Sequence, residues 1–148
     1  MQHRAKGAFT INDRSETPIE WEGANMRRAR WTKTFTGDLA ATSYIEFIMG
    51  EMEPQSDEPL ARVYVGIERI EGELRGRKGS FTVMHVATSL GGDHDATWTI
   101  LPGSGTGELT GIRGTAEILP NHDFVLTYDL DHVTSTPLAS DPLTQRTR

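Results

Sequence analysis

The chain has 148 residues, no cysteine and a formal net charge of −6 at pH 7, with 36% of residues hydrophobic and 24% charged. That length suits one domain that buries a core without staples, and the missing cysteines exclude disulfides and thiolate metal sites, which favours a reducing, cytoplasmic setting. The acidic balance opposes general attraction to nucleic acid, and neither a signal-peptide leader nor an apolar run of about eighteen residues is present, so no nucleic acid and no membrane is expected as a partner.

The first element, Ala5–Asp13, alternates Phe9 and Ile11 with Ala8, Thr10 and Asn12, the period-two pattern of a half-buried strand. Arg14–Gly23, with Pro18, Glu16, Glu20 and Glu22, reads as a turn-rich connection from which Trp21 folds back as a plug. Asn25–Thr36 alternates again, with Ala29, Trp31, Lys33 and Phe35 inward and Arg28, Arg30, Thr32 and Thr34 outward. The cluster Arg27, Arg28 and Arg30 is an exposed strand face and not a phosphate-binding stripe, since no stacking aromatics share that face. Gly37-Asp38 permits a tight reversal into Thr42–Met49, a strand with Tyr44, Glu46 and Ile48 on one face and Ser43, Ile45 and Phe47 on the other.

Gly50–Pro59 is a polar loop with two prolines and four acids, the best candidate for a mobile insertion. Arg62–Glu71 sets Val63, Val65 and Ile67 on one face, expected to meet the core, and Tyr64, Gly66, Glu68 and Ile70 on the other. After a turn over Gly72–Gly79, Ser80–Thr88 places His85 on an otherwise apolar row with Phe81, Val83 and Ala87. A turn at Ser89–Asp95 leads to the short strand Ala96–Leu101, which carries Trp98. The glycines of Pro102–Gly107 then mark a kink, a bulge or the crossing of a barrel end, before the closing strands Thr110–Leu119 and Phe124–Leu130. From Val133 onward there is almost nothing to bury, which divides the chain into a barrel domain over 5–131 and a flexible C-terminal tail over 132–148.

Gly37-Asp38-Leu39, Gly72-Glu73-Leu74 and Gly107-Glu108-Leu109 recur at a constant interval of 35 residues, so one β-unit is used repeatedly. Short strands with regular turn signals and no convincing amphipathic helix define an all-β protein. The repeat favours a single closed antiparallel β-barrel of about eight strands over a sandwich, because like hairpins in series wind until their edges meet.

The string Trp98-Thr99-Ile100-Leu101-Pro102-Gly103-Ser104-Gly105-Thr106-Gly107-Glu108-Leu109, continued by Gly111-Ile112-Arg113-Gly114, resembles the signature of a bacterial family, domain of unknown function 3224. Thr32-Lys33-Thr34-Phe35, Gly66-Ile67-Glu68-Arg69 and Gly79-Ser80-Phe81 through His85 support the resemblance, which runs from about Gly7 to Asp131. It implies a closed barrel similar to that of allene oxide cyclase and no established activity. Ala41 departs from the pattern, standing where the later repeats have Gly76 and Gly111.

Lys33, Glu46, Glu68 and His85 each stand mid-strand on a face available to the barrel interior, where an ion must pair or lose its charge. They form either a structural polar network or the polar groups of a ligand cavity walled by Trp31, Tyr64 and Trp98. Glu68 and His85, on strands joined by the Gly72–Gly79 turn, are the expected centre of any site. No cofactor and no metal is expected: Gly103–Gly107 matches neither nucleotide-binding pattern, and His94-Asp95 and His122-Asp123 are turn residues without ligand spacing.

These features support a barrel that binds a small, largely apolar molecule. The alternative is a cofactor-free isomerase or cyclase, by fold analogy alone. A glutamate with a raised pKa facing an open pocket would favour chemistry, and a Lys33–glutamate pair would favour structure. A third reading, a homo-oligomer-forming subunit, would show as an exposed apolar strand face. Deleting Thr134–Arg148 should leave the melting temperature almost unchanged in a thermal scan; a fall of more than a few degrees would show that the tail docks.

Overall fold

The computed structural model describes residues 1–54, 57 and 59–130. Eight strands follow in order: β1 Gln2–Ile19, β2 Ala24–Gly37, β3 Leu39–Met52, β4 Ala61–Leu74, β5 Arg77–Leu90, β6 Asp93–Ile100, β7 Arg113–Ile118 and β8 Asp123–Asp129. Each pairs antiparallel with the next, and β8 returns to β1, where Gln2 lies opposite Asp129, so the sheet closes into a barrel. Two short 3-10 turns, Gly107–Leu109 and Pro120–His122, are the helical elements among the described residues, and no helix is long and apolar enough to cross a membrane.

The alternation read from β2 holds, with Ala29, Lys33 and Phe35 buried and Arg28 and Arg30 exposed. Several expectations are corrected. Arg14–Gly23 is not a connection: β1 passes a bulge between Ile11 and Asp13 and stays paired with β2 as far as Ile19, opposite Met26. Beyond Ala8 it has lost β8 as a neighbour, so Pro18 sits on an edge, where a missing N–H is tolerated. Trp21 plugs nothing; it is 60% exposed in the β1–β2 turn.

The third correction concerns β4, whose apolar row of Val63, Val65 and Ile67 faces outward, with Val65 48% and Ile67 51% exposed. Its inward row is Tyr64, Gly66, Glu68 and Ile70. Ile70 packs in the core, Glu68 is committed to interior partners, and the row follows from register, since Gly66 lies between the inward residues Phe47 and His85. Of the expected loop over Gly50–Pro59, Gly50–Met52 belong to β3, paired with β2 and β4, and Gln55, Ser56 and Glu58 lie outside the described residues, as does the segment 131–148.

The glycine-rich signature seals one end of the barrel. The β6 and β7 strands share only the pairs Trp98–Ala116 and Thr99–Thr115, so the intervening segment 101–112 folds back along the vacated edge of β5. Thr106 N–H donates to Ser80 O at 2.8 Å, Leu101 N–H donates to Thr82 O at 2.9 Å, and Ser104 Oγ accepts from Thr82 N–H at 3.0 Å. Leu109 and Ile112 are thereby pushed into the core cluster with Phe35, Phe81, Phe124 and Leu126. The third copy of the 35-residue repeat thus serves as a stopper and not as a hairpin turn.

Gly107 has φ +59°, and a Cβ there would lie 2.8 Å from Lys78 O. Both the left-handed backbone and the contact penalise a side chain. Gly107→Ala should therefore cost about 1 kcal/mol or more in urea denaturation; unchanged stability would remove the stopper argument.

Candidate ligand-binding cavity

The barrel interior changes character along its axis. The half beneath the stopper is closely packed, and next to it four consecutive strands contribute Lys33 (β2), Ser43 (β3), Glu68 (β4) and His85 (β5), all buried. Glu68 is 0% exposed and serves as the hub. It accepts a hydrogen bond from Ser43 Oγ, approaches His85 Nε2 at 2.6 Å and meets Lys33 Nζ at 3.4 Å. Gly66 makes this possible: its Cβ would lie 2.4 Å from Phe47 Cβ, so only glycine lets β3 and β4 close at this level.

Burial alone would push the Glu68 carboxyl up; the His85 hydrogen bond, the Lys33 charge and the Ser43 hydroxyl outweigh it and hold Glu68 below the ordinary carboxylate range. Lys33 is lowered, chiefly by burial, with Glu68 opposing. His85 is also lowered, first by burial, with Glu68 opposing, so the neutral imidazole donates its Nε2–H to the carboxylate. Lys33 completes its surroundings against ring faces, 4.5 Å from the Phe9 centroid and 4.7 Å from that of Trp98.

Beyond this floor lies a cavity of about 480 Å³. Lys33, His85, Trp31, Tyr64 and Trp98 line it together with Phe9, Ile45 and Phe47, while Glu68 stands behind His85 and Lys33. The walls are interlocked rings: Trp31 meets Phe47 edge-on at 4.7 Å, and His85 meets Trp98 at 4.1 Å. Burial raises the Tyr64 phenol, with a weaker opposing pull from the Trp98 side chain. The Trp98 indole N–H has no acceptor in hydrogen-bond geometry, and the Trp31 N–H is likewise buried without an acceptor.

Six of the seven sequence candidates therefore meet in one place. Glu46 does not. It lies on the outer face of β3, exposed and paired with Arg30 at 3.2 Å, because Ile45 and Phe47 take the inward positions on either side of it. Conversely, the sequence reading missed His94 and His122, which line the cavity from the start of β6 and from the β7–β8 turn. His122 stacks on Phe9 at 4.7 Å with an interplanar angle of 9°. His122 is a turn residue, as expected, whereas His94 belongs to β6, paired opposite Ser89, so the expected turn over Ser89–Asp95 shrinks to Gly91-Gly92; both histidines lie at the end of the barrel opposite the stopper, where the cavity opens. Among the described residues no group of three or more His, Cys, Asp or Glu is arranged to hold a metal.

Two outcomes follow for stability. Glu68→Ala leaves Lys33 buried without its counter-charge and should cost about 3–5 kcal/mol in urea denaturation, far more than Glu46→Ala on the surface. Glu68 and His85 are both lowered in the folded state, so the unfolded chain binds more protons and stability falls on acidification. The His85 contribution should begin to be lost below its ordinary 6.5 and that of Glu68 below 4.5. Melting temperatures of wild type and His85→Gln between these values check the first step: the variant should be flatter, and parallel curves would show that His85 does not titrate with folding.

Comparison with known proteins agrees with the architecture. A crystal structure of a protein of unknown function from the DUF3224 family of Shewanella oneidensis MR-1 superposes with a TM-score of 0.74 and 29% sequence identity, covering 90% of this chain and 100% of that one. No curated protein matches. Residues 5–132 match the family described as protein of unknown function (DUF3224), a span that contains the stopper, the buried hub and the cavity walls. The chain belongs to the DUF3224 family.

Proposed function

We propose that this barrel binds a small, largely apolar molecule in its open half, with a ring or short chain among Trp31, Phe47, Tyr64 and Trp98 and a hydrogen-bond acceptor at its polar end. The observation that carries this reading is the cavity of about 480 Å³, walled by aromatic side chains above a floor fixed by an internal ion pair. The polar end follows from the donors. The Trp31 and Trp98 indole N–H groups are buried and unpartnered, a cost of about 1–3 kcal/mol for each such group, which an oxygen acceptor on the ligand would offset after a small movement of the rings. Lys33 adds a third donor at the floor. The absence of cysteine suits a reducing compartment, and in this reading the protein works in the cytoplasm.

Binding without turnover is favoured because Glu68 is held in its ionised form, with Ser43, Lys33 and His85 around it and no direct exposure to the cavity. The second reading, a cofactor-free isomerase or cyclase in the manner of allene oxide cyclase, has one observation in its favour. His85 lines the cavity as a neutral base whose proton position is set by Glu68.

Native mass spectrometry of the purified protein should detect a bound small molecule, and 1-aminoanthracene should give a saturable rise in fluorescence. Ile118→Trp, which fills the cavity wall, should weaken the dye by about tenfold or more, equivalent to about 1.4 kcal/mol. An empty protein that does not take up the dye would end the binding reading. A co-purified molecule returned chemically altered by wild type and unaltered by His85→Gln would favour the isomerase.

A further inference from the structure

Four of the large apolar side chains that the barrel exposes, Tyr44, Ile48, Val65 and Ile67, lie on the outer face of β3 and β4. Tyr44 stands apart, between Thr32 and Arg69, and the other three belong to two apolar rows across the register, the second ending on β3 at Glu46, opposite Ile67. Ile48 lies opposite Val65, and Val65 opposite Val86; Ile67 lies opposite Met84. Scattered apolar residues on a surface are ordinary, but a block spanning three adjacent strands with charged margins has the anatomy of an interface.

Those margins differ in sign. On the β2 side the row through Ile48 begins at Arg28, which is exposed and has no ion pair among the described residues. On the β6 side, next to Thr88 at the margin of the block, stands Asp95, likewise exposed and unpaired. A two-fold axis running along β4 would lay β2 of one copy over β6 of the other, bringing Arg28 toward Asp95 twice while the apolar blocks meet between them. An axis across the strands would instead set Arg28 against Arg28. A self-complementary patch is what a two-fold dimer needs, and the charges choose between the two ways of making one.

We propose that the outer face of β3–β5 is the contact surface for a second copy of this chain, packed sheet on sheet with β2 over β6. The surface is on the opposite side of the sheet from the cavity, so this inference does not rest on the ligand reading. Sheet-on-sheet packing about 10 Å apart would bury Val65 and Ile67, the only substantial apolar area that the β4 strand leaves in water.

Sedimentation equilibrium of the full chain over about 1–500 µM, a range that brackets micromolar dissociation constants, should give a dimer. Ile67→Glu should give a monomer whose melting temperature matches that of wild type diluted into its monomeric range. Arg28→Asp and Asp95→Arg should each weaken the dimer, and the double reversal should restore it. A wild-type monomer at the highest concentration, or a dimer indifferent to Ile67→Glu, would overturn the proposal. Dissociation by Ile67→Glu with no effect of the charge reversals would overturn the β2-over-β6 arrangement.

Discussion

A carboxylate with no exposure to water has to be satisfied by its neighbours, and Glu68 draws them from three other strands. A slip of one residue in β2, β3 or β5 would turn Lys33, Ser43 or His85 to the outer face and leave an ion in the interior without compensation. Apolar packing alone tolerates such slips better, because one aliphatic side chain can stand in for another. The polar hub therefore defines the register of half the barrel, and it does so through charge, where errors cost most.

The same hub divides the interior. Below it the aromatic and aliphatic core is closed by Leu109 and Ile112. Above it the packing stops and the cavity begins. The floor is rigid because its groups are mutually bonded, whereas the mouth is built from turns, including one in which both Asn121 and His122 have positive φ, 65° and 64°. Such conformations are held by surrounding contacts, and the stack of His122 on Phe9 is one of them. A stiff floor with a strained rim suits recognition of a ligand by shape at one end and hydrogen bonding at the other.

The barrel class and most strands were legible because period-two alternation is strong wherever one face is wet, as in β2 with its Arg28, Arg30 and Thr32 row. The pairing of Glu68 with His85 was legible from their spacing about one hairpin. The face of β4 was not, because its two rows invert the usual rule: the outward one is aliphatic and the inward one carries a glycine and a carboxylate. Only partners on other strands decide that. Glu46 illustrates the converse, since its sequence neighbours resemble those of Glu68 and only register separates an inner from an outer carboxylate. The place of Trp21 is not legible because an aromatic residue in a turn has no periodicity to read, and the β1 extension is hidden by Pro18, which an edge strand accepts.

Every strand pairs with its sequence neighbour except at one seam, where residues 2–8 meet residues 123–129. Hairpins β1–β2 through β4–β5 can form as the chain leaves the ribosome, each from contacts short in sequence. The seam cannot. Until β8 has been synthesised, the backbone N–H and C=O groups of Gln2–Ala8 remain an open edge, a template on which another nascent chain can add a strand. Circularity thus imposes an order on biogenesis: the first strand made is the last to be fully paired, and a chain stopped short of Asp123 is left as an open sheet.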